Sequence, residues 1–412
     1  MKILFLNPYY KPEKTSSAHF GEDLRQALAA AGHTMELYTP MPTRGVSNTL
    51  RKDYKKNKKQ ETELDGALRV HRFPLFREHK NPLLRALRYS ILELKHLRCA
   101  RKAKDIDLLP MGSTPPVNGL IAARISKKKK IPYVYILQDM FPESLVSTGM
   151  TKKGSLLWKI GNWVSGITYR NAAHIIVISD SMKSALLEKG IPEEKITVSY
   201  NWIDTESTIP VPREENPLFE EFSIPREAFI VTYAGNLGKS QNPEILVECA
   251  EKLKEYTDIQ FVIFGSGTQK DKLQQRIDAS GLQNIRLLPL QPLDRVSQVY
   301  SLGNASFITC RKGVGAGAFP SKAASIMATG TPIIASFDID SDLCRIINEE
   351  QVGLCAEAED AESATNAVLQ LYHNRDLCSA TGSNARALAC RRFSKETGTA
   401  QRIAVYEKFA RR

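Results

Sequence analysis

A serine and a lysine follow a glycine-rich loop in the stretch Arg311–Ser336, and these residue types at this spacing can bind an anion. Three glycines lie in Gly313–Gly317, where backbone can approach a ligand closely, and Pro320 suits the first turn of a helix. Ser321 and Lys322 then fall in that turn, beside N–H groups that no intrahelical carbonyl pairs. The pattern predicts a phosphate site. The alternative is an ordinary helix–strand unit of an α/β domain.

A second loop of this kind follows the predicted strand Phe229–Ala234 and precedes a helix that Pro243 opens. Its spacing differs from that of a nucleotide-hydrolase P-loop. Two further predicted strands, Ile259–Phe264 and Asn284–Leu288, lead into loops as well. Because the carboxyl ends of parallel strands share one edge, we expect one nucleotide-binding site from these loops. Its predicted members are Gly235, Asn236, Leu237, Gly238, Lys239, Gly265, Ser266, Gly267, Leu290, Gly317, Pro320, Ser321, Lys322 and Ser325.

The first half of the chain offers acid and base groups instead. Asp139 directly follows the predicted buried strand Pro132–Leu137, and Glu143 lies four residues on, across a proline turn. Carboxylates at this edge can act on a substrate hydroxyl, although Asp139 could also cap the next turn. The polar loop after the first strand and the helix behind it add Ser17, His19 and Glu22 as acceptor-side candidates. The alternative for His19 and Glu22 is a solvated first helical turn.

Composition describes a two-domain globular protein of 412 residues, 42% hydrophobic and 25% charged. No apolar run is long enough for a signal peptide or a membrane span, and we expect a cytoplasmic protein. The seven cysteines form no Cys-x-x-Cys pair, which argues against zinc and against a disulfide framework. We expect no essential metal, since lysines serve the phosphates and the Asp-x-Asp pattern at Asp338 and Asp340 is weak.

Charge is concentrated in the first half of the chain. Residues 1–200 carry 34 Lys and Arg against 18 Asp and Glu, whereas the remainder carries 23 against 27. This asymmetry predicts a polyanionic partner. The stretch Asn81–Lys104 is a basic amphipathic helix that can lie on a membrane or pack its leucines on the sheet, and Lys127–Lys130 adds a basic cluster. We expect an anionic inner-leaflet surface and, without zinc, helix-turn-helix or stacking signatures, no nucleic acid.

The elements that must position these residues form two successive α/β series. We predict a doubly wound, Rossmann-like domain over residues 1–204, a linker over 205–226, a second such domain over 227–393 and a C-terminal helix over 394–412. The polar run within residues 41–66 predicts a mobile loop. His174–Ser179 and Ile196–Tyr200 complete the first sheet, and the apolar spacing of the tail predicts a helix that packs on an apolar surface.

Three motifs resemble the family 4 retaining glycosyltransferases, which have two Rossmann-like domains facing a cleft, the GT-B type. They are Tyr-x-Gly-Asn-x-Gly at Tyr233–Gly238, Phe264–Gly267, and Pro-Ser-Lys followed by Met-Ala-x-Gly-x-Pro-Ile-Ile-Ala at Pro320–Ala335. Gln138–Ser144 resembles a turn of the O-antigen and capsule branch, which includes fucosamine transferases. The family's Glu-x7-Glu pair would fall on Gly317 and Ser325, and its usual Arg and Lys fall on Asn236 and Gln241.

The resemblance implies a transferase that uses a nucleotide-sugar donor, UDP-linked, and a polyprenyl-diphosphate-linked sugar acceptor at the inner membrane. Lys239 and Lys322 are then the cations for the donor diphosphate, and Asp139, with Glu143 second, acts on the acceptor hydroxyl. The C-terminal helix crosses back to the first domain. The rival functions are a nucleotide-sugar 2-epimerase of the same build and a non-catalytic basic membrane adaptor.

Overall fold

The structure, a computed structural model, describes residues 1–13, 18–78, 81–147, 150–315 and 319–411. The chain divides into two compact units, the first made of Met1–Tyr200 and Thr399–Arg412, the second of Asn201–Gly398. The strands are β1 Lys2–Leu6, β2 Thr34–Pro40, β3 Gln60–Glu63, β4 Leu68–Phe73, β5 Leu109–Gly112, β6 Tyr133–Leu137, β7 His174–Val177, β8 Ile196–Val198, β9 Phe229–Asn236, β10 Ile259–Ser266, β11 Ile285–Pro289, β12 Ala305–Thr309, β13 Ile333–Phe337 and β14 Gly353–Glu357.

Helices connect the strands of both units. They are α1 Ala18–Ala30, α2 Asn48–Asn57, α3 Pro82–Lys102, α4 Asn118–Lys129, α5 Glu143–Ser147, α6 Leu156–Asn171, α7 Asp180–Glu188, α8 Leu218–Glu221, α9 Glu244–Lys252, α10 Lys270–Ser280, α11 Val296–Ser301, α12 Ser321–Ala328, α13 Asp342–Glu350, α14 Ala361–His373, α15 Arg375–Arg392 and α16 Lys395–Phe409. None of those helices, over the ranges described, is both long and apolar enough to cross a membrane.

The second unit contains a six-stranded sheet whose strands all run parallel, in the order β11-β10-β9-β12-β13-β14. Numbered within the unit, this is the Rossmann order 3-2-1-4-5-6. Strands β12 and β13 are buried at every position, as expected for a sheet covered on both faces. The strand order reverses between β9 and β12, so the carboxyl ends of these two strands mark the ligand site that this topology favours.

The first unit repeats this topology with additions. Its two four-stranded sheets, β1-β2-β4-β3 and β5-β6-β7-β8, meet through a parallel bridge between Ile3 and Leu108. Only β3 runs antiparallel among the described pairs, and it lies at the sheet edge. Here the order reverses between β1 and β5. The predicted doubly wound α/β architecture is therefore present in both units.

The prediction of a mobile loop within residues 41–66 is wrong. That stretch contains α2, whose first turn Ser47 caps by accepting from the Leu50 amide, and the edge strand β3. Neither element could be recognised from this polar sequence, because a single buried residue anchors the helix and no apolar period results. Tyr54 is buried, and the Arg72 guanidinium lies 4.9 Å from the centre of its ring.

The segment expected as a linker, 205–226, lies within the second unit and contains α8. Leu218 and Phe219 of this helix are buried, and Asn216 donates to the Gln298 carbonyl at 2.7 Å. The last helix, α16, begins in the second unit and enters the first one. In the first unit its Glu407 pairs with His33 at 3.0 Å, and Phe409 stacks on His174. The C-terminal helix thus contacts the first domain, as predicted.

Candidate active site

Lys322 lies in the first turn of α12, and its ammonium reaches the carboxyl end of β9. A Cβ added to Gly235 would lie 3.1 Å from Lys322 Nζ, and this nitrogen is 4.0 Å from the centre of the Tyr233 ring. The nitrogen is buried and has no hydrogen-bond partner among the residues that the structure describes. Burial lowers the pKa of Lys322 to about 8. An unpaired ammonium in such a position attracts an anion.

Glycines let the loops after β9 and β10 meet. Gly235 has φ +137°, a region that side chains disfavour, and any side chain there would press on Lys322. A Cβ at Gly265 would lie 2.6 Å from the Leu237 side chain, and one at Gly267 would lie 2.6 Å from the Leu237 carbonyl. The Leu237 amide donates to the Ser266 carbonyl at 2.8 Å. The predicted loops at Gly235–Gly238 and Gly265–Gly267 are therefore in direct contact.

Lys239 and Asn236 occupy the outer part of this site. Lys239 begins a 3₁₀ turn and is exposed, while the Asn236 amide donates to Gln241 Oε1 at 3.1 Å. Arg311, which sequence reasoning did not select, lies just beyond β12 and donates from Nε to the Lys239 carbonyl at 2.9 Å. The sequence signal that could have identified Arg311 is its position shortly after β12, the strand beside β9. Arg311 thus adds a third positive group to this edge.

Asp338 holds the glycine loop in place. Its carboxylate is buried and accepts from the amides of Gly313 at 2.8 Å and Gly315 at 2.7 Å. A Cβ at Gly315 would lie 2.3 Å from the Phe337 ring, so only glycine fits. Within the described ranges, no three or more His, Cys, Asp or Glu side chains are grouped to hold a metal ion. Gly317 lies outside the described residues.

The remaining donor-side candidates surround the start of α12. Pro320 is the N-cap residue of the helix and forms no side-chain capping bond, and Ser321 is exposed. Ser325 lies about one turn after Lys322, on the same side of the helix, and is partly buried. Leu290 comes directly after β11 and is 50% exposed. The order of loop, helix and strand predicted for Arg311–Ser336 is confirmed by α12 and β13.

The two carboxylates predicted for the first unit differ in their surroundings. Asp139 follows β6, is exposed, and forms no hydrogen bond or ion pair in the part of the chain that the structure describes. Glu143 begins α5 and pairs with Lys189 at 2.6 Å. The Glu143 carboxylate is thus engaged by an ammonium, whereas the Asp139 carboxylate faces solvent.

The first unit contains a cavity of about 390 Å³ at the point where its strand order reverses. Leu6 and Gly112, the last residues of β1 and β5, line it, as does Asn118 at the start of α4. The Asn118 amide donates to the carbonyls of Gly112 and Thr114 at 3.0 and 2.9 Å, which fixes the strand-to-helix turn. The cavity is thus the first unit's counterpart of the Lys322 site.

Basic and aromatic side chains line this cavity. Lys11, Arg25 and Arg44 supply the positive charge, and the Arg25 guanidinium lies 4.9 Å from the centre of the Tyr10 ring. Burial lowers the pKa of Arg25, but a guanidinium stays charged. Lys11 forms an ion pair with Glu22, which also lines the cavity. Glu13 also lines the cavity, so three basic side chains face two acidic ones, and this excess of one cation suits a polar ligand with an anionic group.

Arg88 of α3 lies behind the cavity wall. It is fully buried, its guanidinium is 5.3 Å from the centre of the Tyr9 ring, and it donates to Thr43 Oγ1 at 2.8 Å. Its Nε and Nη1 have no partner among the described residues. Of the acceptor-side predictions, His19 is exposed in the first turn of α1 with its ring against Phe20, and Ser17 lies outside the described residues.

Two family models match successive parts of the chain. Residues 20–207 match Glycosyltransferase Family 4, and residues 214–388 match Glycosyl transferases group 1. WcaI of Escherichia coli K12, named as a glycosyl transferase of colanic acid biosynthesis, is 24% identical over 90% of this chain and 92% of its own length. The chain is a family 4 glycosyltransferase.

Other comparisons agree with the architecture of this transferase. WbjE of Pseudomonas aeruginosa, named as a glycosyltransferase, is 24% identical over 68% of this chain and 70% of its own length. The crystal structure of Anabaena HepE in complex with UDP aligns with a TM-score of 0.73 at 18% identity, covering 99% of this chain and all of that one. The transferase therefore has the GT-B fold, as predicted.

Proposed function

We propose that the transferase moves a sugar from a UDP-linked nucleotide-sugar to a lipid-linked saccharide, with retention, in the synthesis of a bacterial surface polysaccharide. The buried ammonium of Lys322 carries this proposal. It lies against Gly235 at the ligand edge of a Rossmann-type sheet, without a hydrogen-bond partner among the described residues. A donor diphosphate would supply the missing negative charge.

The chemistry requires cations where charge develops. The bond between the sugar C1 and the diphosphate oxygen breaks, its electron pair stays on the diphosphate, and the acceptor oxygen bonds to C1 on the same face. Lys322, Lys239 and the amides of Gly235–Gly238 would stabilise the leaving diphosphate. The proton of the acceptor hydroxyl goes to a carboxylate, for which Asp139 is the first candidate and Glu143 the second. No essential metal is needed in this scheme.

The cavity of the first unit supports an acceptor with an anionic linkage. Lys11, Arg25 and Arg44 line it, and bidentate guanidinium groups suit phosphate oxygens. A sugar carried on a polyprenyl diphosphate has both the hydroxyl to be glycosylated and this charge. Such an acceptor would place the transferase on the cytoplasmic side of the inner membrane. Within surface polysaccharides, resemblance to the fucosamine-transferase branch favours N-acetyl-fucosamine or a related amino sugar as the donor sugar.

The relatives support the donor class and the pathway class. HepE was crystallised with UDP, and WcaI is named for colanic acid, a surface polysaccharide. Neither assigns the sugar here, since the identities are 18% and 24%.

Thermal-shift titration with UDP, GDP, dTDP and their sugar conjugates tests the donor assignment. We expect UDP and one UDP-sugar to raise the melting temperature of the wild type and to have no effect on Lys322→Met. Equal shifts in wild type and variant would reject the phosphate role of Lys322. Conversion of the nucleotide-sugar to its 2-epimer in the absence of any acceptor would instead favour the epimerase alternative.

A further inference from the structure

The buried face of helix α6 comprises Gly161, Val164, Ser165, Thr168 and Tyr169, and its one large buried side chain, Tyr169, lies in the last turn. A Cβ at Gly161 would lie 2.6 Å from the Pro142 side chain, and one at Gly119 of α4 would lie 2.1 Å from Thr168 Oγ1. Ser165 is also buried and donates to the Phe141 carbonyl at 2.6 Å. At Gly161 and Ser165 the inner face of α6 therefore approaches its neighbours too closely to hold bulky apolar side chains.

Four bulky apolar residues in the first two turns of α6 are exposed. Leu156, Ile160 and Trp163 recur at helical spacing along one face and are 74%, 49% and 61% exposed. Leu157 is 49% exposed, and Met150, just before the helix, is 70% exposed. These five residues are called the α6 surface below. A soluble helix normally buries such a stripe, so a contiguous exposed one marks an interaction site.

The charges around the α6 surface have one sign. Lys152, Lys153 and Lys159 are exposed beside it, and no Asp or Glu occurs between Ser144 and Ser179. Leucine and tryptophan flanked by lysines are typical of helices that lie in a membrane interface. Basic residues close to an anionic leaflet add electrostatic attraction to such a contact. An anionic bilayer therefore fits this surface better than a protein partner that must supply matching carboxylates.

The first two turns of helix α3 also expose large apolar side chains. Leu83, Leu84 and Leu87 in its first two turns are 80%, 41% and 52% exposed, whereas Arg88 beside them is buried. Helices α3 and α6 each follow a strand that ends at the carboxyl edge of the first unit's sheets, so both begin at that edge, and α4 packs against each of them. The cavity opens at the same edge and is lined by Tyr89 of α3.

We propose that the α6 surface, together with the first two turns of α3, docks the first unit onto an anionic lipid bilayer. This inference deepens the proposed function, because a lipid-linked acceptor requires access from a membrane. The Lys127–Lys130 cluster belongs to the other end of the unit, since it lies at the C-terminus of α4 and its Lys129 donates to the Ala103 carbonyl. The proposed membrane contact therefore combines apolar and basic side chains at the carboxyl edge of the sheets, whereas the Lys127–Lys130 cluster is basic only.

Cosedimentation of the full chain with vesicles tests the inference, using phosphatidylcholine alone or mixed with phosphatidylglycerol and no nucleotide-sugar. We expect binding to the anionic vesicles that Leu156→Ser/Ile160→Ser weakens about tenfold or more, because two apolar side chains no longer leave water. Lys127→Gln/Lys128→Gln is the matched control, and it should weaken binding less. Trp163 emission should shift to shorter wavelength with vesicles and be quenched by brominated lipid, and Trp163→Gln should lose the shift.

Two results would overturn the inference. One is that the Leu156→Ser/Ile160→Ser variant binds anionic vesicles as tightly as the wild type does. The other is a wild-type dimer in light scattering that this variant converts to monomer without a change in vesicle binding, since a second copy would then cover the α6 surface. UDP-dependent thermal shifts of both variants show that they are folded. They also separate a failure of membrane docking from a failure of the donor assignment.

Discussion

The cations at the two points where the strand order reverses differ in how far they are exposed to water. In the second unit, one ammonium is buried against backbone, since Lys322 Nζ lies beside Gly235 and 4.0 Å from the centre of the Tyr233 ring. In the first unit, the guanidinium groups of Arg25 and Arg44 line a cavity and Arg88 lies behind its wall, each over a tyrosine ring. The same sheet topology therefore presents one desolvated charge in one unit and a broad, partly solvated basic lining in the other.

This difference in exposure suits the two sites to different ligands. A desolvated charge interacts strongly at one point, which suits a diphosphate whose charge grows during the reaction. A lining of stacked arginines tolerates displacement of its ligand, which suits an acceptor that arrives on a lipid and only has to be oriented. Substitutions in the two sites should consequently affect different kinetic constants and, for Lys322, stability as well.

The largest effect is expected for Lys322→Met. Transfer should fall by a factor on the order of 10² or more, because the charge is most needed in the transition state. At pH 7 the melting temperature should rise by several degrees, since the folded state no longer buries an ammonium. Because the folded pKa of Lys322 is lowered to about 8, that gain should shrink as pH rises above 8 and the wild-type lysine loses its proton. Initial rates and calorimetry at pH 7 and 9.5 measure both parts.

Lys239→Ala is the matched comparison within the same site. It should also reduce transfer on the order of 10²-fold but leave the melting temperature unchanged, because the Lys239 side chain is exposed. Turnover within tenfold of wild type in both variants would contradict the phosphate assignment. A lower melting temperature in Lys322→Met would show that its ammonium is stabilised by the fold itself.

Local patterns were sufficient to predict the strands, the glycine loops and the start of α12, because buried apolar runs and Gly or Pro boundaries are read within a few residues. Contacts across the sheet were not predictable in this way. Lys322 meets Gly235 only because β9 and β12 are neighbours, and 87 residues of sequence separate the two. Helix α2 was missed because its anchor, Tyr54 under Arg72, is a tertiary contact. Periodicity likewise could not show that Leu156, Ile160 and Trp163 of α6 face outward.

Asp139→Asn should lower transfer about 10²-fold, because the amide cannot accept the acceptor's proton. Donor binding should not change, since Asp139 belongs to the first unit and the donor loops to the second. Steady-state rates and isothermal titration with UDP separate these two outcomes. Glu143→Gln is the control, and a larger loss of rate there than in Asp139→Asn would exchange the roles of the two carboxylates.

The pH dependence of donor affinity gives the next test. The Lys322 pKa is lowered to about 8 by burial, so the ammonium is largely protonated at pH 7 and about one tenth protonated at pH 9. A bound diphosphate requires the charged form, and UDP affinity should therefore weaken about tenfold between these pH values. Titration calorimetry of the wild type measures this, with Lys322→Met as the control. A wild-type affinity that stays flat to pH 9 would mean that another group neutralises the diphosphate.

The smallest effect is expected for Arg44→Gln in the first unit. Arg44 is exposed at the cavity mouth, its guanidinium 5.8 Å from the centre of the Tyr9 ring, so its contact with an anionic acceptor is partly screened by water. Loss of about 1 kcal/mol corresponds to roughly a fivefold rise in the acceptor KM, with the donor KM and the melting temperature unchanged. Arg51→Gln is a suitable comparison, because Arg51 bonds the Leu75 carbonyl and does not line the cavity. If instead Arg44→Gln raised the donor KM, the cavity would belong to the nucleotide-sugar, and the division of charges between the two units would have to be reversed.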